Sequence, residues 1–84
     1  MRISNKIVWR EVDGEIFAID ALNEKIHELN ETASFIFAMI NKGFSREEIA
    51  KKVRENYEVN DSVCKADIEE IISDMIRKGI IDEK

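Results

Sequence analysis

Lys25–Ile40, KIHELNETASFIFAMI, begins as a strand and ends as a helix, and the fold turns on the junction between the two. Lys25–Leu29 alternates charged or polar residues with apolar ones, the period-two signature of a strand. Asn30 then offers a side-chain oxygen to the bare N–H groups of the first helical turn, so strand passes into helix without an intervening loop. From Ala33 to Ile40 only Ser34 is polar, and Phe35, Ile36, Phe37, Met39 and Ile40 cannot share one stripe. This helix is therefore expected at the centre of the core, wrapped by its neighbours.

Upstream of the junction, Lys6–Val12 (KIVWREV) is rich in β-branched and aromatic residues and runs into Asp13-Gly14, a dipeptide that favours a two-residue hairpin turn. Glu15–Asp20 (EIFAID) forms the returning strand, Ala21–Glu24 a second turn, and Lys25–Leu29 the third strand of an antiparallel meander with a free edge. Apolar residues occur on both faces of these strands, so the pattern leaves open which face meets the helices. Downstream, the first helix spans Glu31–Asn41 and stops at Lys42-Gly43. Ser45-Arg46-Glu47-Glu48 is a capping box that opens a second helix reaching Tyr57, with Ile49, Ala50, Val53 and Tyr57 on its apolar face. After a link at 59–61, Asp61 or Ser62 caps a third helix to Lys78 that buries Ile68, Ile71, Ile72, Met75 and Ile76. Gly79 stops it, and Ile80-Ile81 tuck back. The expected class is α+β, winged-helix-like, in the order β-β-β-α-α-α.

With 84 residues the chain can bury about 60–65% of its unfolded surface, enough for one modest core, so residues 1–84 are read as a single domain. Hydrophobic residues at 44% and charged residues at 37% mark a globular chain, and no apolar run nears the roughly 20 residues of a membrane span. The N-terminus lacks signal-peptide features and the lone Cys64 has no disulfide partner, so a cytoplasmic location is expected. A net charge of −5 repels phosphate backbones.

The chemistry is sparse. His27 and Cys64 are the only residues of their types, whereas a zinc site takes four ligands at paired spacings; no metal site and no cofactor are expected. The same scarcity denies a nucleophile its base and orienting group, so no catalytic residues are expected. Gly14, Gly43 and Gly79 punctuate turns and helix ends and form no phosphate loop. Asp67, Glu69, Glu70 and Asp74, interleaved with Arg77 and Lys78, read as a solvated helix face.

Two functions remain. Helices after a small sheet fit a winged-helix DNA-binding regulator, but between Asp61 and Lys78 five acids (Asp61, Asp67, Glu69, Glu70, Asp74) outweigh three bases (Lys65, Arg77, Lys78). The other is a peptide-binding module, in which an extended peptide adds as a further strand at the free edge beside a helix. The binding residues expected are Lys25, Ile26, His27, Glu28 and Leu29 on the strand, with Cys64, Asp67, Ile68 and Ile71 on the third helix. The exposed edge also allows two copies to pair as a homodimer.

Val8-Trp9 ahead of the Asp13-Gly14 turn, Leu29-Asn30-Glu31-Thr32-Ala33 followed by Ile36-Phe37, Gly43-x-Ser45-x-x-Glu48-Ile49-Ala50, and Asp67-Ile68 with Ile71-Ile72, Met75 and Gly79-Ile80 carry a family resemblance. With them the chain resembles the PqqD-like proteins, the RiPP precursor peptide recognition elements, from about Val8 to Ile81. The resemblance implies a winged-helix-like fold without catalysis of its own. It also implies that the leader region of a ribosomally made peptide is held against the third strand and third helix while a tailoring enzyme acts on the core region. That enzyme can be a radical SAM enzyme, a leader peptidase for lasso peptides or a cyclodehydratase. Two departures are the absence of proline and His27 where the family commonly has tyrosine, the second of which bears on peptide preference.

Overall fold

The computed structural model describes residues 1–57 and 61–83, and the side chains of all of these except 61–63. In chain order the elements are β1 (Arg2–Ile3), β2 (Ile7–Val12), β3 (Glu15–Asp20), β4 (Lys25–Glu28), α1 (Glu31–Asn41), α2 (Arg46–Tyr57), α3 (Asp61–Arg77) and β5 (Ile81–Asp82). Strands β2, β3 and β4 form the expected antiparallel meander in that spatial order. The link expected at 59–61 and the side-chain cap expected of Asp61 or Ser62 fall outside what is described.

Strands β1 and β5 were not expected. They pair Arg2 with Asp82 and Ile3 with Ile81 in a separate antiparallel ribbon, and the Ser4 N–H donates to the Ile80 carbonyl at 2.9 Å. Two-residue strands carry no alternation to read, and a pairing between opposite ends of the chain leaves no local signal.

Which face of the meander meets the helices follows from register. Ile7 stands opposite Asp20, Trp9 opposite Ala18, and Ala18 opposite His27, so these residues share one face with Ile16 and Leu29. That face packs inward: Ile7, Ile16, Ala18 and Leu29 are buried, and Trp9 meets Phe37 of α1 edge to face with ring centroids 5.3 Å apart. Asp13 and Gly14 both take positive φ, 51° and 83°, which is the geometry of the primed hairpin turn the dipeptide signals.

Helix α1 occupies the centre, with Ser34, Ile36, Phe37, Met39 and Ile40 buried and Phe35 half-buried against Tyr57. Each fully buried Phe or Ile contributes about 1.5–3 kcal/mol by removal from water. Two of the expected caps are made. Asn30 Oδ1 accepts the Ala33 N–H at 2.9 Å, and Ser45 and Glu48 exchange bonds at 2.9 and 3.2 Å. Glu48 is held below the ordinary carboxylate range, chiefly by the Ser45 backbone N–H. Helix α3 closes at Gly79, whose φ of 76° lets its N–H reach the Ile76 carbonyl while the Ile80 N–H reaches that of Met75. The closure turns the chain back to form β5.

Candidate functional site

The junction at Leu29–Ser34 sets the site. Ile16 and Leu29 stand opposite one another, and the Leu29 N–H donates to the Ile16 carbonyl at 2.8 Å. The return bond of that pair is replaced by a hydroxyl. The Ile16 N–H donates to Ser34 Oγ at 2.8 Å, and Ser34 Oγ donates to the Leu29 carbonyl at 3.1 Å, all buried. The one polar residue in the apolar run of α1 therefore pins the helix to the ladder at the point where the strand leaves it, a role its sequence context marks only by its being alone.

Hydrogen-bonded and non-bonded pairs alternate along an antiparallel ladder. Because Leu29 is bonded to Ile16, His27 is bonded to Ala18 and Lys25 to Asp20, while Ile26 opposite Ile19 and Glu28 opposite Phe17 are the non-bonded pairs. The N–H and C=O groups of Ile26 and Glu28 consequently point away from β3, toward the open edge. Their side chains lie on the outer face, and those of Lys25, His27 and Leu29 on the inner face. Strand β2 is the sheet's other edge.

Between the end of β4 with the start of α1 on one side and α3 on the other lies an open cleft of about 600 Å³. Leu29, Ala33, Ile71, Met75 and Ile80 supply apolar surface at its base, and Glu28, Asp67, Glu70, Asp74, Arg77 and Lys78 form its charged rim. Arg77 Nη2 and Lys78 Nζ both hold Asp74, at 2.6 and 2.9 Å. Their hydrogen bonds, that of Lys78 foremost, keep the Asp74 carboxyl below its ordinary range. Both rim cations are thus engaged on one carboxylate, leaving Asp67 and Glu70 to give the cleft an acidic cast. An extended segment of chain laid here would meet backbone partners on one side, apolar surface beneath and carboxylates above.

The structure places the expected site residues unevenly. Lys25, Ile26, Glu28 and Asp67 are exposed, His27 and Ile71 half-buried, and Leu29 buried at the base. Cys64 and Ile68 are a correction: they are only 1% and 2% exposed and face the core. Cys64 Sγ donates to the Ala50 carbonyl of α2 at 3.6 Å. The reason is helical phase. Positions 64, 68, 72 and 75 form the inward stripe, whereas 67, 70, 71, 74 and 78 form the neighbouring stripe about a quarter-turn away that lines the cleft. Sequence reading merged the two. It also passed over Glu70 and Asp74 as mere surface, although a carboxylate on the stripe beside Ile71 is the signal that could have found them.

His27 adds one irregular feature: its Nε2 is buried and has no hydrogen-bond partner among the described residues. Asp20, buried at the end of β3, accepts from the Asn23 backbone N–H at 3.1 Å and its side-chain amide at 2.8 Å, with Lys6 Nζ at 3.5 Å. These contacts shape the turn that delivers β4 to the edge.

A family model described as coenzyme PQQ synthesis protein D (PqqD) matches residues 15–81. Among solved structures, TbiB1 in complex with the TbiA(beta) leader peptide superposes with a TM-score of 0.94 at 20% identity, over 100% of this chain and 98% of that one. A lasso peptide synthetase B1 complexed with the leader peptide superposes at 0.87 and 23% identity, over 94% of this chain and 93% of that one. At such identities the likeness establishes the fold. No curated protein matches the chain.

Proposed function

We propose that this chain, which belongs to the PqqD family, binds the leader region of a ribosomally synthesised precursor peptide by strand addition and presents it to a tailoring enzyme. The peptide adds antiparallel to β4, bonded to the N–H and C=O groups of Ile26 and Glu28. Its inward side chains enter the cleft against Leu29 and Ile71, and Asp67 and Glu70 favour a peptide with basic residues at the rim. The observation that carries this reading is the open β4 edge lying beside the cleft on α3. Both solved structures of the same fold are, by their descriptions, complexes with leader peptides.

In this reading residues 1–84 act as one binding unit, in the cytoplasm and without catalysis of their own. The tailoring enzyme, a radical SAM enzyme, leader peptidase or cyclodehydratase, supplies the chemistry. Asp67, Glu69 and Glu70, exposed on α3, oppose a phosphate backbone and count against a DNA-reading role for that helix. The test is titration of a full candidate precursor peptide, its isolated leader, its isolated core region and a DNA duplex. The leader should bind as tightly as the full precursor. Equal binding by the core region, or tighter binding by the duplex, would refute the proposal.

A further inference from the structure

The outer face of the meander remains uncovered. Val8, Ile19 and Ile26 stand opposite one another in a row across the three strands, and Arg10, Phe17 and Glu28 form the adjacent row. Val8 and Ile26 are 65% and 69% exposed, so the sheet offers water a continuous apolar strip. An antiparallel sheet of this kind ordinarily turns polar residues to that side.

The charges beside the strip indicate what covers it. The second row carries a cation at its β2 end and a carboxylate at its β4 end, with Phe17 between. A two-fold axis parallel to β3, lying between two facing sheets, exchanges those ends. Arg10 then meets Glu28 of a second copy, Val8 meets its Ile26, and Ile19 and Phe17 meet their own counterparts on the axis. The apolar row and the charged row are satisfied by the same operation, which a heterologous partner would match only by carrying a similar arrangement.

We propose that the outer sheet face is a self-association surface, on which two copies of this chain pack face to face in a small β-sandwich. The sheet plane, not its edge, is consumed, so the β4 edge and the α3 cleft stay open in both copies. Three strands about 4.8 Å apart, with up to six residues at about 3.3 Å each, give a footprint of roughly 300 Å² per copy. That is about 600 Å² in total, below the range of standard specific interfaces, and the dimer is accordingly weak and transient, with a dissociation constant of roughly 10–500 µM.

Sedimentation equilibrium between micromolar and millimolar protein tests the proposal. The parent should shift from a 9.8 kDa monomer toward twice that mass. Ile19→Arg, which sets two cations against each other on the axis, should remain monomeric throughout while melting as the dilute parent does. Arg10→Glu alone and Glu28→Arg alone should each weaken association about tenfold, because reversal turns both symmetric pairs repulsive, and the double reversal should restore it to within about twofold. A parent that stays monomeric, an Ile19→Arg protein that still dimerises, or a double reversal that fails to restore association would each overturn it. Dissociation of the dimer by leader peptide would move the contact to the β4 edge and also overturn it. So would a monomeric parent whose capture by the tailoring enzyme is lost in Ile19→Arg, which would assign the face to that enzyme.

Discussion

Proline placed at successive positions of β4 should divide binding from folding. The Ile26 N–H points to the open edge and the His27 N–H to the Ala18 carbonyl, as the bond from Leu29 to Ile16 dictates. Ile26→Pro therefore removes nothing from the free protein's ladder, and an edge strand tolerates the fixed φ. Its melting temperature should stay within a few degrees of the parent. In the complex it deletes one bond, worth about 0.5–1.5 kcal/mol, and strands a peptide carbonyl at a cost of about 1–3 kcal/mol if buried. Leader affinity should fall roughly 10- to 1,000-fold. His27→Pro instead removes a ladder bond and orphans the carbonyl of Ala18, which is fully buried. The same magnitudes sum to about 2–4 kcal/mol of stability, or roughly 10–25 °C for a domain of this size. Thermal melts and peptide titrations on the two variants suffice. An Ile26→Pro protein that binds like the parent would refute strand addition at this edge, and a His27→Pro protein that melts like the parent would refute the ladder phase.

Further outcomes follow from the same geometry. Ile68→Asp puts a charge on the inward stripe and should leave the domain largely unfolded, whereas Ile71→Asp, half-buried in the cleft wall, should fold and lose leader binding about 10- to 150-fold by fluorescence titration. Ser34→Ala orphans the buried Ile16 N–H and should lower stability by about 1–3 kcal/mol in urea unfolding, with the slope unchanged. Asp20 sits below its ordinary 3.8, the Asn23 side-chain amide being the largest cause, aided by the Asn23 backbone N–H and Lys6. A carboxyl whose folded value is depressed stabilises the fold above its unfolded value, and that contribution is lost as pH falls through the folded one. The loss in melting temperature between pH 7 and pH 3 should accordingly be smaller in Asp20→Asn than in the parent.

Much of this arrangement is legible in the sequence because its signals are local. The Asn30 cap, the Ser45–Glu48 box, the Asp13-Gly14 turn and the glycine stops each sit within a few residues of the groups they satisfy. The free edge at Lys25–Leu29 was legible as well, since the helix that begins at once leaves no further strand to cover it. What escaped required tertiary knowledge. The β1–β5 ribbon joins the two ends of the chain, the burial of one sheet face depends on where α1 lands, and the edge amides were assignable only from the bond between Leu29 and Ile16. The misplacement of Cys64 and Ile68 has a different origin. An apolar residue on a helix gives its stripe, but two adjacent stripes about 100° apart can both hold isoleucines, and only packing decides which faces α2 and which the cleft.

The central claim is that a leader peptide becomes the next strand of the sheet, and amide hydrogen exchange resolved to single residues tests it most directly. In the free protein the amides of His27 and Leu29 should exchange slowly and those of Ile26 and Glu28 fast, following the alternation of the ladder. On saturation with leader peptide, Ile26 and Glu28 should become protected to the level of their neighbours, while His27 and Leu29 change little. Protection that appears in α2, or binding that leaves the Ile26 and Glu28 amides as fast as before, would contradict the account.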